Sequence, residues 1–140
     1  MPVTLDTETI RLITLFENVT GTGVKDCLVD SQNNTAYFVI EEGWLGKAIG
    51  KNGSIVKRTE GLIKKGVKIF EFSGDLERFV RNLIPQATAT KFRNEDGKIV
   101  VDVWVGKSDK AIVIGRDGKN LKVFKELLQR SHNVNEVVVR

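Results

Sequence analysis

The sequence predicts an α+β protein in which one small unit is used twice, and three observations carry that reading. The order helix, strand, strand, short helix, glycine loop, helix, strand runs through the first half and restarts in the second. The tetrapeptides Gly50-Lys51-Asn52-Gly53 and Gly115-Arg116-Asp117-Gly118 begin 65 residues apart (115 − 50), each after an isoleucine and before a helical segment. At that same offset Ile49 matches Ile114, Val56 matches Leu121, Lys57 matches Lys122 and Leu62 matches Leu127. So long a period exceeds a solenoid unit and fits a duplicated domain. Each copy, 1–73 and 74–140, is expected to be a three-stranded sheet with helices on one face.

The elements follow in order. "LDTETIRLITLFENVTG" places Ile10, Ile13, Leu15 and Phe16 at helical spacing and ends at Gly21, an amphipathic helix. "DCLVDS" and "TAYFVIE" are rich in branched and aromatic residues, with "QNN" between them as a hairpin signal. "WLGKAIG" is a short apolar piece, and "SIVKRTEGLIKK" after the glycines is a helix closed by Gly66. "VKIFEF" is the last strand of the first copy. Ser73-Gly74 marks the break, and Asp75 suits a helix N-cap because its carboxylate accepts from free N–H groups.

"LERFVRNLI" then repeats the first helix and stops before Pro85, which pushes Ile84 out of the α region. "ATATKF" and "IVVDVWV" are strands joined by "RNEDG", an Asp-Gly turn. Ile99, Val101, Val103 and Val105 alternate toward one side, as in a half-buried strand. "DKAIVIG" is a short helix. "KNLKVFKELLQR" stacks Leu121, Phe124, Leu127 and Leu128 on one face. "RSHNVN" reads as a loop three residues longer than its counterpart, and "NEVVVR" closes the chain as a strand.

Composition excludes several classes. Among 140 residues no run approaches the ~18 consecutive apolar residues of a membrane span. The amino end lacks a basic region followed by an apolar core, so no secretory signal is expected. The single cysteine, Cys27, cannot form an internal disulfide and reads as a buried strand thiol. We expect a cytoplasmic protein, monomeric and without membrane association. Net charge is +4, from 22 basic and 18 acidic residues, and it is unevenly spread. Residues 43–70 carry seven basic groups against Glu60 alone, and residues 106–130 carry seven against Asp109, Asp117 and Glu126. Positive charge therefore gathers around both glycine loops, where a polyanion would be attracted.

The loops have a chemistry of their own. Glycine tolerates the backbone angles of a tight turn and lets another backbone approach closely. A helix that starts at the second glycine offers free N–H groups and the positive end of its dipole, a setting that favours phosphate. Lys51 and Arg116 supply a cation at the first middle position, and Asn52 and Asp117 a small polar residue at the second.

Ile-Gly-x-x-Gly between two short helices resembles the KH domain of RNA-binding proteins. The element order is similar to the type II, prokaryotic arrangement, and two such units back to back resemble the archaeal NusA-like transcription factors. The resemblance covers both halves, so it implies two tandem type II KH domains, each a three-stranded mixed sheet with helices on one face. It implies an RNA-binding site made of Ile49, Gly50, Lys51, Asn52, Gly53 and Lys57 in the first copy. In the second it implies Ile114, Gly115, Arg116, Asp117, Gly118, Lys119 and Lys122. Each groove would hold about four nucleotides of single strand. Its far wall would be the last strand of the unit, and Lys64 and Lys65 would sit in the variable loop of the first copy. The implied partner is single-stranded RNA, with RNA polymerase as a second candidate. Bacterial relatives carry additional domains, a polymerase-binding one among them, that 140 residues cannot hold.

Other chemistry finds no support in the residues. Gly-x-Gly-x-x-Gly after a strand and the P-loop are both absent. His132 is the only histidine, and with one cysteine no zinc set can be assembled. No cofactor, no metal and no enzymatic activity are expected. Trp44 and Trp104 are expected in the core or at a domain interface. The rival readings are a protein-interaction module of the transcription or translation machinery, and a binder of single-stranded DNA.

Overall fold

The computed structural model describes residues 6–140; residues 1–5, with the start of the expected first helix, lie outside the described residues. The chain divides into two compact units, one ending at Gly74 and one running Asp75–Arg140. That boundary lies one residue beyond the expected one.

In the first unit, α1 (Thr7–Thr20) starts where the Asp6 carboxylate accepts from the Thr9 N–H at 2.7 Å and ends on Gly21 at φ 70°. Strands β1 (Val24–Asp30) and β2 (Thr35–Ile40) form an antiparallel hairpin, and β3 (Gly66–Glu71) adds parallel to β2. The parallel strand requires a crossover, and α2 (Leu45–Ile49) and α3 (Ser54–Ile63) supply it. Leu12 and Phe16 of α1, Ala48 of α2 and Ala36, Phe38 and Ile40 of β2 form the core beneath the helices. Phe16 and Phe38 stack at 4.1 Å between ring centroids. Cys27 is buried and outside any disulfide, as its strand context implied.

The second unit repeats the order. It comprises α4 (Leu76–Leu83), β4 (Ala87–Glu95), β5 (Lys98–Val105), α5 (Lys110–Ile114), α6 (Lys119–His132) and β6 (Glu136–Val139). The sheet order is β4-β5-β6, again antiparallel then parallel. Asp75 caps α4 through the Glu77 N–H at 3.0 Å, and Ile84 leaves the helix before Pro85. Asp96 (φ 53°) and Gly97 (φ 82°) are the whole connection between β4 and β5. Two successive positive φ values match the right-handed twist of the strands, which is why Asp-Gly serves there.

Several expectations change. Ile10 is half exposed, and Leu12 takes the core position one turn away from Phe16. Lys64 in the left-handed conformation ends α3, so Gly66 opens β3 instead of closing the helix. The first half of "RSHNVN" is helix: α6 continues through His132, whose ring lies 5.4 Å from that of Phe79, and Asn133 caps it at φ 57°. The second copy is thus longer by four helical residues (14 against 10) and one loop residue (133–135 against 64–65). On β5, burial extends to both faces, because Val100 and Asp102 are buried along with Val101 and Val103. Trp44 and Trp104 are 41% and 37% exposed, so neither is a core residue.

Candidate nucleic-acid interface

The two glycine loops have nearly the same backbone. Gly50 lies at φ 76°, ψ 171° and Gly115 at φ 78°, ψ 166°, a region that residues with a Cβ scarcely enter. Space closes the same two positions. A Cβ on Gly50 would lie 2.4 Å from Ile55 Cγ1 and 2.9 Å from the Ile55 nitrogen. On Gly115 it would lie 2.8 Å from Asn120 Nδ2. The first glycine therefore lets the incoming helix rest directly on the outgoing one. Asn52 and Asp117 both sit at φ 56°, which their short polar side chains tolerate. Gly53 and Gly118, both at φ 73°, have nothing within 4 Å on their Cβ side, so open space adjoins the backbone there.

Each loop closes with two successive i→i+3 hydrogen bonds, and these consume N–H groups that the sequence left free. The Gly53 N–H donates to the Gly50 carbonyl at 3.2 Å and the Ser54 N–H to the Lys51 carbonyl. Gly118 and Lys119 repeat the pattern onto Gly115 and Arg116. What the loops present to solvent is their middle side chains. Lys51, Asn52, Arg116 and Asp117 are exposed, and none of their side chains makes a hydrogen bond or ion pair among the described residues.

Beside the first loop lies a groove of about 340 Å³ lined by Ile49, Gly53, Val56, Lys57, Glu60, Val67 and Ile69. Its walls are α3 and the edge strand β3, and the loop closes one end. Ile49, Gly53 and Lys57, three of the expected site residues, meet there, while Gly50, Lys51 and Asn52 stand in the adjoining turn. Glu60 is the residue the sequence reading passed over. Its Oε2 accepts from the Val67 N–H at 2.9 Å and ties the helix to the edge strand. Seven residues separate the two, and the one signal was an acid alone in a basic segment. Of the variable-loop lysines, Lys65 Nζ approaches Asn34 Oδ1 at 3.3 Å and Lys64 is exposed.

In the second unit Ile114 is half-buried at the end of α5, next to the loop. Lys119 and Lys122 follow on the first turn of α6, Lys122 exposed and Lys119 partly so. Asn120 Nδ2 donates to the Ile112 carbonyl at 3.1 Å and braces the two helices across Gly115. Lys125, at the position matching Glu60, pairs with Glu136 at 2.6 Å on the first residue of β6. Trp44, outside the expected set, precedes α2 with the Lys47 ammonium 4.8 Å from its ring centroid.

Residues 11–73 match the family model for the KH domain. Over 98% of its length the chain is 33% identical to the probable transcription termination protein NusA of Halococcus morrhuae, covering 98% of that protein. This chain belongs to the archaeal NusA family. The corresponding protein of Methanococcus vannielii is also 33% identical, over 99% of this chain and 80% of its own length. A crystal structure of APE1850 superposes with a TM-score of 0.82 at 35% identity, covering 97% of this chain and 100% of that one. The chain carries a KH-type α+β arrangement, and the matched stretch contains α3, β3 and the whole of the first glycine loop. Among the described residues no helix is long and apolar enough to cross a membrane.

Proposed function

We propose that this NusA-family chain is a non-enzymatic, single-stranded RNA-binding protein of transcription elongation or termination, gripping nascent RNA in two KH grooves, 1–73 and 74–140. One observation carries the reading: the same strained turn recurs at a spacing of 65 residues with an unpaired cation at the same place. Maintaining φ values near 75° at four glycines costs backbone freedom, and an idle helix connection needs neither that geometry nor an exposed Lys51 or Arg116. An apolar groove bounded by an edge strand, with a cationic turn at one end, offers a surface to bases and a counter-charge to the sugar–phosphate chain. The names of its relatives support a place in transcription.

In this reading Gly50-Lys51-Asn52-Gly53 and Gly115-Arg116-Asp117-Gly118 hold the backbone. Ile49 and Ile114 support bases, and Lys57, Lys119 and Lys122 add phosphate contacts. RNA polymerase is a second partner, reached through the transcript or directly. Replacing Lys51 and Asn52 together by aspartate, and separately Arg116→Asp, should weaken RNA binding at least tenfold in fluorescence anisotropy. Melting temperatures should barely move, because these side chains are exposed and make no hydrogen bond or ion pair among the described residues. With about five phosphates neutralised on a single strand, log affinity should fall against log salt with a slope of roughly −3.5. A flat salt dependence, or full affinity in both loop variants, would turn the reading toward a protein-interaction module.

A further inference from the structure

We propose that Glu60 selects the base held in the first groove by accepting a hydrogen bond from an exocyclic amino group. This rests on the RNA-binding reading above and concerns which base that groove prefers. Among the residues that line the groove, only Lys57 and Glu60 bring polar side-chain atoms; Ile49, Val56, Val67 and Ile69 are apolar. A base settling on such a floor gives up water at its edge, so the polar group it meets there decides between bases. Lys57 is exposed and ends in a freely rotating ammonium, suited to phosphate of any sequence.

Glu60 is different because it is held. Its Oε2 is fixed by the Val67 N–H at 2.9 Å, and Val67 is itself a buried residue of the edge strand. Its Oε1 accepts no hydrogen bond among the described residues. A carboxylate so placed is an anchored acceptor with no donor. Cytosine offers an N4 amino donor at the edge where uracil offers the O4 acceptor. The groove should therefore take cytosine and reject uracil.

The second unit provides the contrast within the same molecule. The helical position 65 residues on is Lys125, whose ammonium is engaged by Glu136 at 2.6 Å. The helical position itself carries a donor, and the Glu136 carboxylate opposite it is already engaged by that ammonium and by the Val137 N–H at 3.1 Å, so the second unit should not share the preference.

The test uses the full chain carrying Arg116→Asp, so that the first loop dominates binding, with four-nucleotide probes of cytidine or uridine. Oligo-cytidine should bind about tenfold more tightly, the value of one hydrogen bond to a charged acceptor. Oligonucleotides of N4,N4-dimethylcytidine, which lack the donor, should bind as weakly as oligo-uridine; this arm alters only the probe. Glu60→Gln retains an oxygen for the Val67 N–H and turns an amide NH₂ toward the groove, so the preference should shift toward uridine. Equal binding of cytidine and uridine probes overturns the proposal, as does undiminished binding of the dimethylated probe. Both results leave the RNA-binding reading intact if Lys51→Asp still weakens every probe. Failure of all probes to bind the unsubstituted chain overturns both.

Discussion

The two units share the backbone of their glycine loops and differ in what surrounds it. Their loops agree within a few degrees at every glycine, yet the helix and edge strand beside the first are tied by Glu60 and those beside the second by the Lys125–Glu136 pair. The sheets differ in the same manner. Tyr37 on β2 and Asp102 on β5 are 65 residues apart and occupy matching places. Tyr37 is buried and lies parallel to Phe70, with ring centroids 6.3 Å apart. Asp102 is also buried but is charged, held by Arg93 at 2.6 Å and Arg140 at 3.1 Å. The comparison separates two kinds of constraint. Where the chain must turn with positive φ, only glycine and a few short polar residues fit, and both copies use them. Where a side chain must only be satisfied, an aromatic pair and an ion cluster are equally good solutions.

The sharpest way to break the likeness is at the first glycines. Gly50→Ala should destabilise its unit by about 3 kcal/mol, because the new Cβ meets both the side chain and the backbone of Ile55 in a backbone region closed to alanine. Gly115→Ala should cost less, about 2 kcal/mol, since its closest neighbour is the terminus of the Asn120 side chain, which can swing aside. Denaturant titration followed by Trp44 in a Trp104→Phe background, or the reverse, reads each unit separately. Equal costs would mean that backbone angle alone decides.

A pH series should pull the units apart from opposite ends. Hydrogen bonds from Arg93, and then Arg140, hold the Asp102 carboxyl below its ordinary range despite burial. A depressed acid contributes stability above its unfolded pKa and loses it as pH falls through the folded one. Burial, with the Asp30 carboxylate adding to it, pushes the Tyr37 phenol above its ordinary range. A raised group contributes stability below its unfolded pKa and loses it as pH rises through the folded one. The second unit should therefore weaken first in acid and the first unit in alkali. Asp102→Asn and Tyr37→Phe should each flatten its own limb in melting curves taken across pH. The smallest effect belongs to Gly53→Ala and Gly118→Ala. Their Cβ atoms meet nothing, so each should cost about 1 kcal/mol for the left-handed conformation alone, and equally in both units.

Much of this was legible in the sequence because the decisive constraints are local. Gly50, Gly53, Gly115 and Gly118, the Asp96-Gly97 turn and the Asp75 cap each declare a backbone geometry within a few residues. What escaped depends on distant partners. Asp102 sits in an apolar strand and finds Arg140 38 residues away. Glu60 becomes a groove residue only when β3 is laid beside α3. The helical run through Ser131 and His132 has poor helix formers, and packing against Phe79 together with buried Leu127 and Leu128 overrides that preference. Residue type points Trp44 and Trp104 to the core or a domain interface, and their positions beside a helix start and on a sheet face keep them out of the core.

The parallel edge strands have a consequence for how the molecule assembles. In each unit the hairpin joins neighbours: Asp30 faces Thr35, and Glu95 faces Lys98. The third strand must be recruited from much farther along the chain, with Thr35 meeting Gly66 and Val100 meeting Glu136. Closing the longer loops carries the larger entropic cost, so hairpins are expected early in folding and the parallel strand late. In the first unit that late strand is the wall of the groove, with Val67 and Ile69. Mutations in β3 should therefore speed unfolding while hardly slowing folding, and those in the β1–β2 hairpin should do the opposite. The groove is completed only when the unit is, so a half-folded chain has the hairpin but lacks the groove's far wall.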